Sequence, residues 1–450
     1  MRFFASLRPL PLLCGAALLG VHSPTLAQTT WYVNAAAASG GTGGSWVSAF
    51  NDLQLALTAA QPGDSIWVAA GTYRPSLPTN PADLRTATFA LPYQVAIYGG
   101  FRGNEATLAD RRGWFAQTIL SGDIGVAGSS ADNCYHVVTL KGTTQFVSAL
   151  LDGFTVRDGN GIGSGTNSRG AGVLVSVGQG THAPTLVGRN LIVRDNHCHQ
   201  GAGIAVFNLG VMVLSKSSIL NNSAEDAGGG AFVLTGTFWS TAVRWEGNTA
   251  VNSGGALYTT STSTSMVRLA DDVLFANQAG QGGAVYIAGS QFVHGTAQLT
   301  NCTLASNSAA VGASIYADTT TTQPAALTVV NSILWQDLPT DPLNVFGAGG
   351  TVSITYSCVK GGYVGVGNIA VDPQFVDRVN GDLRLLVVSP CIDAGNTNLV
   401  GEDYTDLDAD GDYAEPLPLD IRAVRRTSNN PSVPNTGVGT PPIDMGAYEN

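Results

Sequence analysis

Three groups of residues in this chain have types and spacings suited to chemistry. The first is Asp406-Leu-Asp408-Ala-Asp410-Gly411-Asp412, which puts carboxylates on alternate residues and a glycine where the chain must turn sharply. This is how an oxygen-ligated Ca2+ loop opens. A complete loop of that kind would place a bidentate glutamate where Leu417 stands, so the match is partial, with Glu415 as the substitute ligand. The opposing reading is a hydrated acidic turn. The second group is Val156-Arg157-Asp158 and its copy Val193-Arg194-Asp195, with Asn221 at the equivalent place in the next copy and His197 and His199 close by. If these copies stack, the two arginines lie one strand spacing, about 4.8 Å, apart. Arg194 would then be a base for abstracting a proton beside a uronate carboxylate, and Asp158 and Asp195 would hold a neutralising cation. A hydrolase would use paired carboxylates instead. Set against both is a row of Arg–Asp pairs that merely keeps exposed turns in register. The third group is aromatic: Tyr73, Phe207, Trp239 and Tyr258, if exposed together, would form a platform for stacking sugar rings.

Positioning these groups requires a repetitive scaffold, and the chain writes one. Between Val193 and Tyr316 one phrase recurs five times: an apolar residue, an asparagine three positions on, a run of Gly, Ala or Ser, then an apolar pair. The asparagines are Asn196, Asn222, Asn248, Asn277 and Asn307, a period of 26 to 30 residues. Periods of this size belong to stacked solenoids, whose repeats bury an apolar face only against their neighbours. The intervening segments are short, β-branched and bounded by turn residues, so they read as strands, about three to a coil. Gly228-Gly229-Gly230 and Gly254-Gly255 suit sharp turns or close coil contacts. One asparagine per coil predicts an internal ladder of side-chain amides that satisfies turn backbone groups beyond the reach of water. The fold expected is a right-handed parallel β-helix, a single-stranded solenoid with a short N-terminal capping helix and a loop-rich C-terminal cap.

The domain reading follows. Residues 1–27 carry Arg2 and Arg8, an apolar run from Pro9 to Val21 and a small residue at Ala27, the pattern of a secretory signal peptide. Residues 28–75 are the N-terminal cap and first coil, with a helix over Ser48–Ala60 capped by Ser48 and stopped by Pro62-Gly63. Residues 76–380 form the β-helix, and 381–450 the last coil and a C-terminal cap carrying the acidic loop. Composition narrows the partners. A net charge of −11 with lysine only at 141, 216 and 360 argues against nucleic acid and anionic membrane. An apolar fraction of 44 % argues against disorder.

Longer phrases add a resemblance. SWVSAFNDLQLALTAAQPGDSIWVAAGTYRP, RTATFALPYQVAIYGGFRGNE, TILSGDIG and YHVVTL, with DPQFVD, GDLRLL, SPCIDAGN and IDMGAYE near the end, resemble bacterial choice-of-anchor Q domain proteins with a pectin-lyase-like right-handed β-helix. The asparagine repeats are similar to those of chlamydial polymorphic outer-membrane proteins. The resemblance implies a secreted or surface-displayed β-helix, mostly without an assigned reaction, held by various C-terminal anchors. This chain ends Tyr448-Glu449-Asn450 without a hydrophobic tail, so release or non-covalent retention is the expectation. Cys134, Cys198, Cys302, Cys358 and Cys391 follow the leader without a C-x-x-C pair, which disfavours a zinc ribbon. Cys358 and Cys391 flank segments of the resembled closing region, which implies a disulfide between them. His136 and His182 read as surface or turn residues.

The leading functional expectation is a monomeric, exported, non-catalytic β-helix for adhesion or for binding polysaccharide or cell-surface glycan, with Ca2+ as the candidate cofactor and no transmembrane segment after signal removal. The alternative is a polysaccharide lyase or hydrolase acting on acidic polymers, a lyase being Ca2+-assisted.

Overall fold

Residues 28–111, 117–144, 147–178, 180–260, 266–289, 296–318, 325–336, 345–347 and 351–450 are described by the computed structural model; the leader expected over 1–27 lies outside them. Nearly every regular element is a short strand that pairs in parallel with its counterpart one repeat away. Among the described residues a first sheet has eleven strands, a second ten and a third nine, with a four-stranded short sheet between the second and third. The chain is therefore a parallel β-helix. Its coils carry up to four strands rather than three, because residues after the ladder asparagine, such as His197–Gln200 and Ser223–Ala227, pair as well.

Alternation along each strand makes the core. Val156, Val193, Ile219, Trp245, Leu274 and Leu304 occupy one in-register inward position of the second sheet, and all are fully buried. No coil could bury this column alone, so stacking is what stabilises it. The corners are made by single residues with left-handed backbone. Asn190, Lys216, Ala242, Asp271, Asn301 and Asn331, with φ between 48° and 56°, turn the chain from the first sheet into the second. At the corner leading into the third sheet Gly228 has φ 69°, and a Cβ there would stand 2.4 Å from the carbonyl oxygen of Ala231, so only glycine fits.

The amide ladder is present as expected. Asn196 Nδ2 donates to Asn222 Oδ1 at 2.9 Å, Asn222 to Asn248 at 3.0 Å, Asn248 to Asn277 at 2.9 Å and Asn277 to Asn307 at 2.9 Å. All five are buried, and each Oδ1 from Asn222 onward also accepts the backbone N–H of the preceding ladder residue.

Both ends differ in detail from expectation. The one α-helix among the described residues, α1 (Leu53–Ala59), is shorter than Ser48–Ala60, and its N-cap is Asp52, whose carboxylate accepts the N–H of Gln54 at 2.9 Å. Ser48 instead lies in the preceding turn, where its carbonyl accepts from the Gly43 N–H. At the other end the expected boundary moves. The last described coil is complete by Val359, and the stretch 360–372 covers it: Val359 N–H donates to Ile369 O, and Tyr363 packs against the core. Residues 381–450, expected as last coil and cap, fold back along the corner between the first and second sheets. Contacts run from Asn396 on Asn331, through Arg426 on Asp271, to Tyr404 on Trp239 and Thr405 on Arg189. Leu407 and Leu417 bury against Ala242, so the segment is fixed by apolar burial on the corner as well as by ion pairs.

Candidate functional site

The arginine–aspartate copies stack as their sequence implies. Arg157 pairs with Arg194, then Leu220 and Glu246, in the second sheet. The left-handed corner follows immediately, with φ 63° at Asp158 and 55° at Asp195, and it swings each carboxylate back toward the arginine before it. Arg157 Nε lies 2.7 Å from Asp158 Oδ2, which also accepts from Ser121 Oγ at 2.7 Å, and Arg194 Nη1 lies 3.3 Å from Asp195 Oδ2. Each guanidinium is thus matched by its own neighbour. Partly exposed pairs of this sort chiefly hold register. His197 and His199 do not turn toward Arg194; they face Glu225, at 3.7 and 3.8 Å.

The aromatic platform does not form. Tyr73 is buried, its hydroxyl donating to Ala69 O, and Phe207 is buried too. Trp239 is covered by Tyr404, with the Arg268 guanidinium 5.5 Å from the Trp239 ring centre. Tyr258 belongs to a column with Phe232, Tyr286 and Tyr316, stacked face to face at 4.9–5.1 Å. These ring faces cover one another, which stabilises coil stacking and leaves them closed to a sugar.

The acidic loop gathers ligands, with a changed membership. Oxygens of Asp406, Asp408 and Asp410 lie within 4.8 Å of one another, and so do those of Asp403, Asp408 and Glu415. Asp412 is in neither group; its Oδ1 accepts the Ala414 N–H at 2.9 Å. Burial and then the carboxylates of Asp410, Asp408 and Asp412 push Glu415 up, and its Oε1 is a buried oxygen with no hydrogen-bond partner. An all-oxygen set with like charges crowded together fits a hard cation such as Ca2+.

Other residues depart from their sequence reading. His136 is buried, pushed down to about 4 by burial, with Nδ1 3.0 Å from Gly170 O, so it is a structural imidazole inside the stack. All five cysteines described are buried and free. Cys358 and Cys391 lie in one buried apolar cluster, Cys358 Sγ donating to Val371 O at 3.2 Å, and both are free thiols without the implied disulfide. Sequence reasoning missed an outward row on the short sheet: Arg169 Nε donates to Gln200 Oε1 at 2.8 Å, Gln200 Nε2 to Asp226 Oδ2 at 2.7 Å, and Asn252 Nδ2 to Asp226 Oδ1 at 2.9 Å. These side chains stand on successive coils. A cavity of about 160 Å3, lined by Arg384, Arg422, Tyr448 and Asn450, lies on the C-terminal segment and includes no sequence-predicted site residue. No described helix is long and apolar enough to cross a membrane.

No family model and no curated protein matches the chain. Among solved structures it is similar to a pectate lyase, at 11 % identity over 94 % of this chain and 96 % of that one, with a TM-score of 0.49. A rhamnogalacturonan lyase is similar at 11 % identity over 78 % and 91 %, TM-score 0.37, and XylC in complex with xylose at 8 % over 94 % and 98 %, TM-score 0.40.

Proposed function

We propose that this chain is an exported, non-catalytic β-helix that binds polysaccharide along the flank its C-terminal segment leaves open. The observation that carries this is the row Arg169, Gln200, Asp226 and Asn252, one polar side chain per coil, fixed by mutual hydrogen bonds. A linear polymer lying along the axis meets an equivalent group every strand spacing, about 4.8 Å. Prior fixing of the side chains reduces the entropy lost on binding. Asp226 and Glu225 make this face acidic, which favours hydroxyl-rich neutral polymers over uronates. Export rests on the leader-like residues 1–27, and the closing phrases support a surface protein of the choice-of-anchor Q kind, acting as a monomer. The test is affinity electrophoresis of the full chain through gels containing neutral or acidic polysaccharides. Retardation by a neutral polymer is expected, weakened roughly two- to tenfold in Gln200→Ala and Asp226→Ala. Unchanged mobility with every polymer would sink the reading.

A second reading is kept by the in-register pair Arg157 and Arg194, one coil apart. It is a lyase on acidic polysaccharide, with Arg194 as base and Asp158 and Asp195 as ion ligands.

Ca2+ completes the proposal as a structural ion of the C-terminal loop, held by Asp406, Asp408, Asp410, Asp403 and Glu415. Millimolar Ca2+ is expected to raise the melting temperature by roughly 2–5 °C and to slow proteolysis within 401–417. Asp408 belongs to both ligand groups, so Asp408→Asn should abolish both effects. A melting curve identical in Ca2+ and in chelator would refute the site.

A further inference from the structure

We propose that His197, His199 and Glu225 form a surface site for a divalent transition-metal ion, with Zn2+ the best-fitting probe. This inference is independent of polysaccharide binding. It begins with strand alternation. His197, Cys198 and His199 lie on one strand, so both imidazoles point outward while Cys198 points into the stack, where it packs among Ala171, Ala202 and Ala224. The carboxylate comes from the next coil through an irregularity. Cys198 pairs with Ala224 and Gln200 with Ala227, so the neighbouring strand carries one residue more than its partner over this interval. A bulge of this kind re-aims side chains, and here Glu225 comes to stand between the two rings.

The contacts point to a cation. His197 Nδ1 lies 3.1 Å from the carbonyl oxygen of Ser223, an acceptor only, so Nδ1 carries the proton of that hydrogen bond. In the neutral ring Nε2 is left with its lone pair, and Nε2 faces Glu225 Oε1 at 3.7 Å. His199 Nδ1 faces Glu225 Oε2 at 3.8 Å. These nitrogen–oxygen separations are too long for direct hydrogen bonds. They suit an ion bonded to each atom at about 2.1 Å, with an angle of about 125° at the metal. A backbone carbonyl fixing the far nitrogen is also the usual support for a metal-binding imidazole. Two nitrogens and a carboxylate, leaving a position open, match the ligand set of Zn2+ sites that retain a water. Asp226 is not a ligand, since both its oxygens are taken by Gln200 and Asn252.

As placed, the three side chains are looser than the acidic groups of the C-terminal loop, whose ligand atoms converge within 4.8 Å. The His197, His199 and Glu225 side chains are 45 %, 49 % and 51 % exposed, so closing around an ion takes only side-chain rotation at the surface.

The test is isothermal titration of the full chain with ZnCl2, in excess Ca2+ to occupy the acidic loop. One Zn2+ per chain is expected. His197→Ala, His199→Ala and Glu225→Gln should each weaken it by about tenfold or more, and the double histidine variant should abolish it. His182→Ala should bind as the parent does. Each variant's far-ultraviolet circular dichroism should be unchanged, since the replaced side chains face solvent. Co2+ in place of Zn2+ should give visible bands of a nitrogen- and oxygen-ligated ion. Affinity that survives the double histidine variant, the absence of a saturable Zn2+ isotherm, or a thiolate charge-transfer band from Cys198 would each overturn the site.

Discussion

Replacing Asn248 with alanine should cost about 3–5 kcal/mol of stability, the sum of several buried polar groups losing partners at about 1–3 kcal/mol each. The side chain accepts from Asn222 N–H at 3.1 Å and Asn222 Nδ2 at 3.0 Å, and it donates to Ile219 O at 2.8 Å and Asn277 Oδ1 at 2.9 Å. Four bonds across three coils therefore end on one amide. The site is fully buried, so water cannot take over those bonds without opening the stack. Aspartate would keep the acceptor and lose both donor bonds, while burying a charge inside the stack, so it should be no better than alanine. The measurement is denaturant unfolding followed by tryptophan fluorescence, with Asn252→Ala, an exposed asparagine of the following turn, expected to stay within about 0.5 kcal/mol. A cost for Asn248→Ala below about 1 kcal/mol would show that the ladder does not hold the coils together.

Removing the Arg426 guanidinium should be comparably severe, about 3–5 kcal/mol, because breaking a buried ion pair strands its partners. Arg426 is 1 % exposed, with Nη2 2.5 Å from Asp271 Oδ1 and Nη1 3.4 Å from Glu449 Oε2. It joins the chain's end to a corner residue 155 positions earlier. Arg426→Ala should release the C-terminal segment first, seen as early proteolysis after residue 380 while the coils stay protected. The same cluster fixes a pH dependence. Burial pushes Glu449 up to about 9, Asp444 to about 7 and Asp272 to about 7, and Asp271 to about 6 against the opposing pull of Arg426. A carboxyl whose folded pKa is raised contributes stability that is complete below its unfolded value, near 4, and is lost as pH rises through the folded value. Stability should therefore fall between pH 5 and pH 9. Equal unfolding midpoints at pH 5 and pH 9, or Arg426→Ala as stable as the parent, would contradict this picture.

The parts of the molecule legible in the sequence are those that repeat. A ladder position must be filled by the same amide in coil after coil, so Asn196 to Asn307 announce their own stacking, and the register of Arg157 on Arg194 follows from the same alignment. Corners that require left-handed backbone reveal themselves through Gly228 and Gly254, where no Cβ fits. What periodicity could not disclose is contact between segments that share no pattern. Arg426 meets Asp271 and Thr405 meets Arg189 only because the chain reverses along the corner, and neither residue's local sequence encodes that reversal. His136 looked like a turn residue because one polar side chain gives no hint that Gly170 O waits inside the stack. The bulge beside Glu225 did leave a trace. Asn222 to Gly228 spans one residue more than Asn196 to Gly201, and an extra residue between fixed ladder and corner positions must be absorbed by the intervening strand. Stacking of the Arg–Asp copies, and the reading of each copy as a pair that holds its turn, were both legible because each aspartate directly follows its arginine.

The claim that this β-helix binds polysaccharide without cleaving it is tested most directly by ultraviolet absorbance of unsaturated products. The full chain would be incubated with alginate, pectate, hyaluronan and chondroitin, with and without Ca2+. The expected result is a flat trace on every polymer in both conditions. Rising absorbance that disappears in Arg194→Ala would contradict the binding account and assign Arg194 as the base of a lyase.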